Sequence, residues 1–132
     1  MNLEHSDKNI LVAEDQEALK EMLATILEDE DYQVDTASNG NEAWNLVKNK
    51  HYDLLLTDLY MPEMNGIELI QKCQQHSPET TIILLSGGGR ELKAETGDTT
   101  VSFLDQKIKI DLFLKKPCNL IDLLDTVENL LS

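Results

Sequence analysis

Side chains able to do acid, base or metal chemistry follow four short apolar runs of this 132-residue chain. Glu14 and Asp15 follow the first run, Asp58 the third, Ser86 the fourth and Lys116 the fifth. If these runs are parallel strands, their carboxyl ends meet at one edge of a sheet. Gathered carboxylates repel one another, so the arrangement favours a bound cation. Mg²⁺, which prefers oxygen ligands and bridges carboxylates to phosphate, is the natural candidate.

Each of these residues has a simpler interpretation when taken alone. Asp15 is then a helix N-cap, Glu14 a solvated charge, Asp58 a turn cap and Lys116 one of a solvated lysine pair. Independent caps do not need to fall at the ends of three strands with a lysine at a fourth. Phosphoryl transfer needs this set together, with Lys116 and Ser86 serving the phosphoryl oxygens.

The elements that would position these residues alternate along the chain. Apolar, β-prone runs at 10–13, 54–57 and 82–85 predict buried strands, and 34–37 predicts a more exposed one. The fifth strand is the run that contains Phe113, just before Lys116. Apolar residues at three- and four-residue spacing predict helices between them and at the C-terminus, where Asn119 is placed as a cap. Residues 90–111 fit both a helix and a strand pattern, and we expect a helix there.

This alternation predicts an α/β fold with a doubly wound five-stranded parallel sheet and helices on both faces. We expect one domain over residues 1–132, with an ordered core of about residues 8–131.

Composition and charge indicate which kinds of partner and which cellular compartment to expect. The formal net charge of −14 repels phosphate backbones and anionic lipid, so we expect neither a nucleic acid nor a membrane partner. The N-terminus lacks a basic start followed by an apolar run, and no stretch approaches membrane-spanning length. Cys73 and Cys118 are too few for a disulfide framework and favour a reducing, cytoplasmic location. The Met1 start and the end just after the last helix favour a stand-alone unit.

The motifs together resemble a response-regulator receiver domain over nearly the whole chain. The most specific block is residues 55–66, Leu-Leu-Thr-Asp-Leu-Tyr-Met-Pro-Glu-Met-Asn-Gly, which is similar to the phosphoacceptor strand and its following loop. The pair Glu14-Asp15, the helix start at 39–43, Ser86 and Lys116-Pro117 match in the same order. Glutamate replaces the first aspartate of the usual acidic pair. The resemblance implies the flavodoxin-like strand order 2-1-3-4-5 for the sheet.

This resemblance implies that Asp58 takes a phosphoryl group from a histidine kinase or a histidine phosphotransfer protein, in a two-component or phosphorelay system. Asp15 and Asp58 would ligate Mg²⁺ directly, Tyr60 through its backbone carbonyl and Glu14 through water. Lys116 would neutralise charge on the transferring oxygens. The domain would phosphorylate and slowly dephosphorylate itself rather than turn over a substrate.

Switching would follow from the charge of the phosphoryl group. It would draw the Ser86 hydroxyl inward, and Phe113 stands where the family places its switch aromatic, although a core residue of the fifth strand would look the same. The resemblance implies a readout face on the fourth helix, fifth strand and fifth helix, an effector that the sequence leaves unnamed, and possible phosphorylation-dependent dimerisation.

Two departures from the family pattern concern the phosphoryl lifetime and the segment after the fourth strand. Tyr60 and Gly88 occupy positions that influence access of water to the phosphoaspartate, and we expect the Tyr60 ring to shield it. The glycine run at 87–89 opens an interval to Lys116 that is longer than usual in the family.

Two other functions stay open. An aspartate-nucleophile phosphatase resembles Asp-x-Asp at its nucleophile, whereas the second position here is Tyr60. A pseudo-receiver would bind partners unphosphorylated, which the intact set of Asp15, Asp58, Ser86 and Lys116 disfavours. A dinucleotide site lacks its Gly-x-Gly-x-x-Gly after the first strand.

Overall fold

A computed structural model of the chain describes residues 5–87 and 89–132. Within these residues, strands and helices alternate up to the fourth strand, and three further short strands precede the last strand and helix. In chain order they are β1 Asn9–Ala13, α1 Glu17–Asp29, β2 Gln33–Ala37, α2 Gly40–Asn49, β3 Leu54–Thr57, α3 Gly66–His76, β4 Thr81–Ser86, β5 Leu92–Lys93, β6 Thr100–Phe103, β7 Gln106–Lys109, β8 Leu112–Lys115 and α4 Leu120–Leu131.

The main sheet is parallel, with the order β2-β1-β3-β4-β8. This is the predicted order 2-1-3-4-5 with β8 as the fifth strand, so the fold prediction is confirmed. Ala13 pairs with Thr57, and the backbone amide of Asp58 donates to the carbonyl of Ala13 at 3.0 Å. The ends of β1 and β3 are therefore level, which brings the residues after them side by side.

Alternate side chains of each strand point to opposite faces of the main sheet. Both faces are covered by other elements. Helices α1 and α4 bury Leu23, Leu27, Leu123 and Val127 on one face. Helices α2 and α3 cover the opposite face, together with apolar residues of β5, β6 and β7. Asparagine side chains begin three of the helices: Asn39, Asn65 and Asn119 each accept a hydrogen bond from a first-turn amide.

The helix expected over residues 90–111 is wrong. Strands β5, β6 and β7 instead form a small antiparallel sheet. Val101 and Ile108 point into the core as alternate residues of paired strands. Leu104 and Asp105 have φ values of 48° and 64°, which makes them a two-residue hairpin loop between β6 and β7. Leu104, which fitted the helix pattern, is consequently 66% exposed.

The small sheet also changes the edge of the main sheet. The backbone of Phe113 on β8 bonds with Gly97 and Asp98 at 2.8 Å each, and the Lys115 amide donates to the Thr96 hydroxyl at 3.0 Å. Residues 96–98 thus cover the outer edge of β8. The expected readout face is wrong in its first element, because no helix lies between β4 and β8 in the described part of this interval.

No helix among residues 5–87 and 89–132 is long and apolar enough to cross a membrane.

Candidate functional site

The three predicted carboxylates converge at the carboxyl edge of the main sheet. One carboxylate oxygen from each of Glu14, Asp15 and Asp58 lies within 4.8 Å of the other two. The convergence follows from the topology, because β1 and β3 are neighbours and end level with each other. Residues 44 positions apart in the sequence, Glu14 and Asp58, therefore share one pocket.

Lys116, which directly follows β8, reaches the same pocket. Its ammonium group donates to Glu14 Oε1 at 2.8 Å and to Asp58 Oδ2 at 3.3 Å. The backbone amide of Lys116 donates to the carbonyl of Ser86 at 2.9 Å, which continues the pairing of β8 with β4. The solvated lysine interpretation is therefore wrong, since a single amine faces two carboxylates here.

Burial sets the electrostatics of this pocket. Glu14 is only 2% exposed, and this burial raises its pKa, while hydrogen bonds from Lys116 and the Gln16 amide act in the opposite direction and the charge of Asp58 adds to the rise. Burial by itself lowers the pKa of Lys116, but the bond to Glu14 and the charge of Asp58 outweigh it and leave that pKa raised. The ammonium form of Lys116 is thus favoured at neutral pH.

The simpler interpretations of the two acidic neighbours also fail. Glu14 is buried rather than a solvated charge. The N-cap of α1 is Gln16, without a side-chain bond, so Asp15 does not cap this helix. Asp15 is exposed, at the outer side of the carboxylate group.

Asp58 is held in a defined orientation. It is 8% exposed, and its Oδ1 accepts a hydrogen bond from the Leu59 amide at 2.7 Å. Gly66 approaches closely from behind, since a Cβ at this position would lie 2.1 Å from the Asp58 carbonyl oxygen. The Gly66 amide also donates to the Leu59 carbonyl at 2.7 Å. One Asp58 oxygen is thus fixed by the backbone, and the other faces Lys116.

The remaining predicted residues lie around this pocket with different surroundings. Ser86 ends β4 and is 1% exposed, and Phe113 is equally buried on β8 within the cluster that includes the small sheet. Tyr60 is 44% exposed. The position of Gly88 lies outside the described residues.

A contact that the sequence analysis missed joins the loop after β3 to the loop after β4. The Tyr60 hydroxyl donates to Glu91 Oε2 at 2.6 Å, and this bond, with burial and negative charge, raises the pKa of Tyr60 to about 12. Gly89 has a φ of 134°, and a Cβ there would lie 2.4 Å from the Tyr60 hydroxyl. Only the glycine run signalled this approach in the sequence.

A family model of the response regulator receiver domain matches residues 10–128. The chain belongs to this family. The receiver domain is similar in structure to a CheY-like receiver domain protein from Methanospirillum hungatei JF-1, with a TM-score of 0.77 and 26% identity over 94% of this chain and 93% of that one. It is equally similar to TrrA from Thermotoga maritima, whose structure is a complex with Mg²⁺-BeF, with a TM-score of 0.77 and 29% identity over 93% and 98%.

The receiver domain also matches a transcriptional regulatory protein, SrrA of Staphylococcus aureus strain NCTC 8325 / PS 47, with 36% identity over 88 residues. The match covers 67% of this chain and 36% of SrrA, so the matched part corresponds to about a third of this curated relative. The prediction of a response regulator receiver domain, the module of two-component signalling, is confirmed.

The residues present fit a hard divalent cation. The carboxylates of Glu14, Asp15 and Asp58 supply oxygen ligands within a small space, and Mg²⁺ prefers such ligands. Two of the three carboxylates are buried and share one lysine, which leaves excess negative charge. The Tyr60 carbonyl as a further ligand stays a prediction.

Proposed function

We propose that Asp58 accepts a phosphoryl group from a phosphohistidine of a histidine kinase or a histidine phosphotransfer protein. The observation that carries this proposal is the pairing of Asp58 Oδ2 with the Lys116 ammonium at 3.3 Å, beside two further carboxylates. A buried carboxylate that faces one amine suits acyl phosphate formation.

The chemical step needs one nucleophile and one charge partner. A carboxylate oxygen of Asp58 attacks phosphorus as the P–N bond of phosphohistidine breaks, and the electron pair of that bond stays on the imidazole nitrogen. The Leu59 amide holds the other oxygen at 2.7 Å, which limits rotation of the carboxylate. Lys116 stabilises the negative charge of the transferring oxygens, and its bond to Glu14 orients it.

Glu14, Asp15 and Asp58 would hold Mg²⁺, with the Tyr60 carbonyl. When bound, the ion supplies positive charge to the phosphoryl oxygens. The Mg²⁺-BeF complex of TrrA supports the same ion in this receiver domain.

Mg²⁺ is expected to raise the melting temperature of the wild-type domain, because it relieves repulsion that only the folded state has. A ligand at 100 times its Kd stabilises by about 2.7 kcal/mol. Asp15→Asn should lose most of this gain, as followed by thermal unfolding over a Mg²⁺ titration. The matched control is Asp105→Asn in the hairpin loop, which should keep it. Equal gains in the two variants would place the ion elsewhere.

The proposed function is tested by incubating the wild-type protein with acetyl phosphate and Mg²⁺ and measuring its intact mass. We expect the mass of one phosphoryl group to be added, and no addition when EDTA removes the ion. No adduct under either condition would favour a pseudo-receiver. Steady release of phosphate from an aryl phosphate ester would favour an aspartate-nucleophile phosphatase.

The phosphodonor protein has an apolar place to dock beside the pocket. Lys116 lines one side of an open groove of about 540 Å³, whose other walls are apolar residues of α1, β4, the segment 117–118 and the start of α4. Met22 in this groove is 48% exposed. We assign the groove to the phosphodonor protein, because its lining reaches Lys116 and its surface is apolar.

The Tyr60 ring is expected to set the lifetime of the acyl phosphate by limiting the approach of water. Tyr60→Ala should dephosphorylate several-fold faster than wild type in a time course of intact mass. Tyr60→Phe keeps the ring and removes only the hydroxyl that bonds Glu91. It should retain most of the wild-type lifetime. Shielding is excluded if Tyr60→Ala is as slow as wild type, and rapid loss in Tyr60→Phe would assign the effect to the Glu91 bond.

Phosphorylation would act through the small sheet, which stands where the fourth helix was expected. The added charge would draw in the Ser86 hydroxyl, and Phe113 lies buried in the cluster that the small sheet shares. A shift of Phe113 would therefore reach β6 and β7. We propose β8, α4 and the small sheet as the readout surface, with a possible phosphorylation-dependent dimer.

A further inference from the structure

The outer face of the small sheet is basic. Strand alternation turns Leu92 and Ile108 towards the core and leaves Lys93, Lys107 and Lys109 exposed. Lys93 pairs with Ser102 and Ser102 with Lys107, so the three side chains form one row across the sheet. Lys109 stands opposite Thr100 on the same face.

This face contrasts with the chain as a whole, which carries a net charge of −14 and contains only 11 Lys and Arg residues. None of Arg90, Lys93, Lys107 and Lys109 forms a salt bridge with any residue in 5–87 or 89–132. Glu91 and Asp105 offset part of the positive charge here, and the remainder is left to attract an external group.

The basic side chains surround an open groove with an apolar residue in it. This groove of about 410 Å³ is lined by three basic residues, two acidic residues, a serine and a leucine: Arg90, Lys93, Lys107, Glu91, Asp105, Ser102 and Leu104. Leu104 is 66% exposed and sits at a φ of 48°, a conformation that costs energy for a leucine. The hairpin thus holds an apolar side chain in solvent among cations.

We propose that this face is a docking surface for a short acidic segment of a partner protein, with an apolar residue against Leu104 and carboxylates against Arg90, Lys93 and Lys107. We choose an acidic occupant because its charge is complementary to that of the basic row. A long polyanion such as nucleic acid would extend beyond strands of two and four residues onto the acidic remainder, which repels it. A short segment avoids that repulsion.

The test uses the full chain and a fluorescein-labelled peptide of alternating Glu and Leu, measured by fluorescence anisotropy. The double variant Lys93→Glu/Lys107→Glu should bind about tenfold or more weakly than wild type. The control Lys8→Glu/Lys48→Glu makes the same change in net charge elsewhere and should stay within about twofold of wild type. Leu104→Ser should also weaken binding, and a Gln/Leu peptide should not bind.

Several results would overturn the proposal. Equal weakening in the two double variants would show general electrostatics instead of a site. Tighter binding of a single-stranded oligonucleotide than of the peptide, lost in the same variant, would assign the face to nucleic acid. If the double variant fails to fold, amide NMR shifts of the wild type on peptide addition decide: shifts within residues 90–109 support the surface, and shifts elsewhere contradict it. The lysines could instead serve only to prevent another strand from pairing with the edges of β5 and β7, and in that case the peptide would not bind.

Discussion

Asp58→Asn is expected to abolish phosphorylation by acetyl phosphate while preserving the fold. An amide has nearly the shape of a carboxylate, and its oxygen can still accept the Leu59 amide at the position of Oδ1. It is not a nucleophile at phosphorus, so no acyl phosphate forms. Intact mass after incubation with Mg²⁺ should show no adduct, whereas Asp105→Asn should be modified like wild type.

The same substitution should stabilise the metal-free domain. Asp58 is 8% exposed and lies beside buried Glu14, so removing its charge relieves repulsion that Lys116 only partly offsets. We expect a gain of up to about 1 kcal/mol in the free energy of unfolding in EDTA. A phosphoryl adduct on Asp58→Asn would move the acceptor to another residue, and a loss of stability would contradict the crowding of the carboxylates.

Lys116→Met is expected to give the second large effect, on both stability and phosphorylation. It removes the ammonium group that bonds Glu14 at 2.8 Å and Asp58 at 3.3 Å. Removing one partner of a buried ion pair costs about 3–5 kcal/mol, and since the Lys116 side chain is 21% exposed we expect about 2–3 kcal/mol at neutral pH without metal. Denaturant unfolding measures this loss, and acetyl phosphate labelling should fall sharply.

Lys115→Met is the matched control because Lys115 is the exposed neighbour and forms no salt bridge within the described residues. It should change stability by less than about 0.5 kcal/mol. Adding Glu14→Gln to Lys116→Met should recover part of the loss, because an amide does not need a buried counter-charge. Equal losses at positions 115 and 116, or no recovery, would contradict the proposed pairing.

The loss in Lys116→Met should depend on pH. Burial raises the pKa of Glu14 in the folded state above its ordinary value of 4.5, and the Lys116 bond limits this rise. A carboxyl with a raised folded pKa contributes its stability below the unfolded pKa and loses it as the pH rises through the folded pKa. Lys116→Met raises the pKa of Glu14 further, so its deficit against wild type should be small near pH 4 and grow towards neutral pH.

The amino-acid sequence by itself determined the parallel sheet and the residues of the pocket. Runs such as 54–57 are apolar at every position, which indicates strands covered on both faces. The carboxyl ends of parallel strands meet at one edge, so Asp15, Asp58 and Lys116 could be assigned to one place from their positions after such runs. The roles of these residues in phosphoryl transfer remain predictions for the experiments above.

Tertiary structure alone decided the small sheet and the burial of the pocket. The local sequence of residues 100–109 fits both the helix period and the strand period. Only the pairing of β6 with β7 around the hairpin at Leu104 and Asp105 decides for strands. The bond from Tyr60 to Glu91 and the burial of Glu14 depend on how distant loops approach each other. A local sequence pattern indicates which face of its own strand or helix a side chain lies on. The residues that it contacts from other elements depend on the packing of the whole chain.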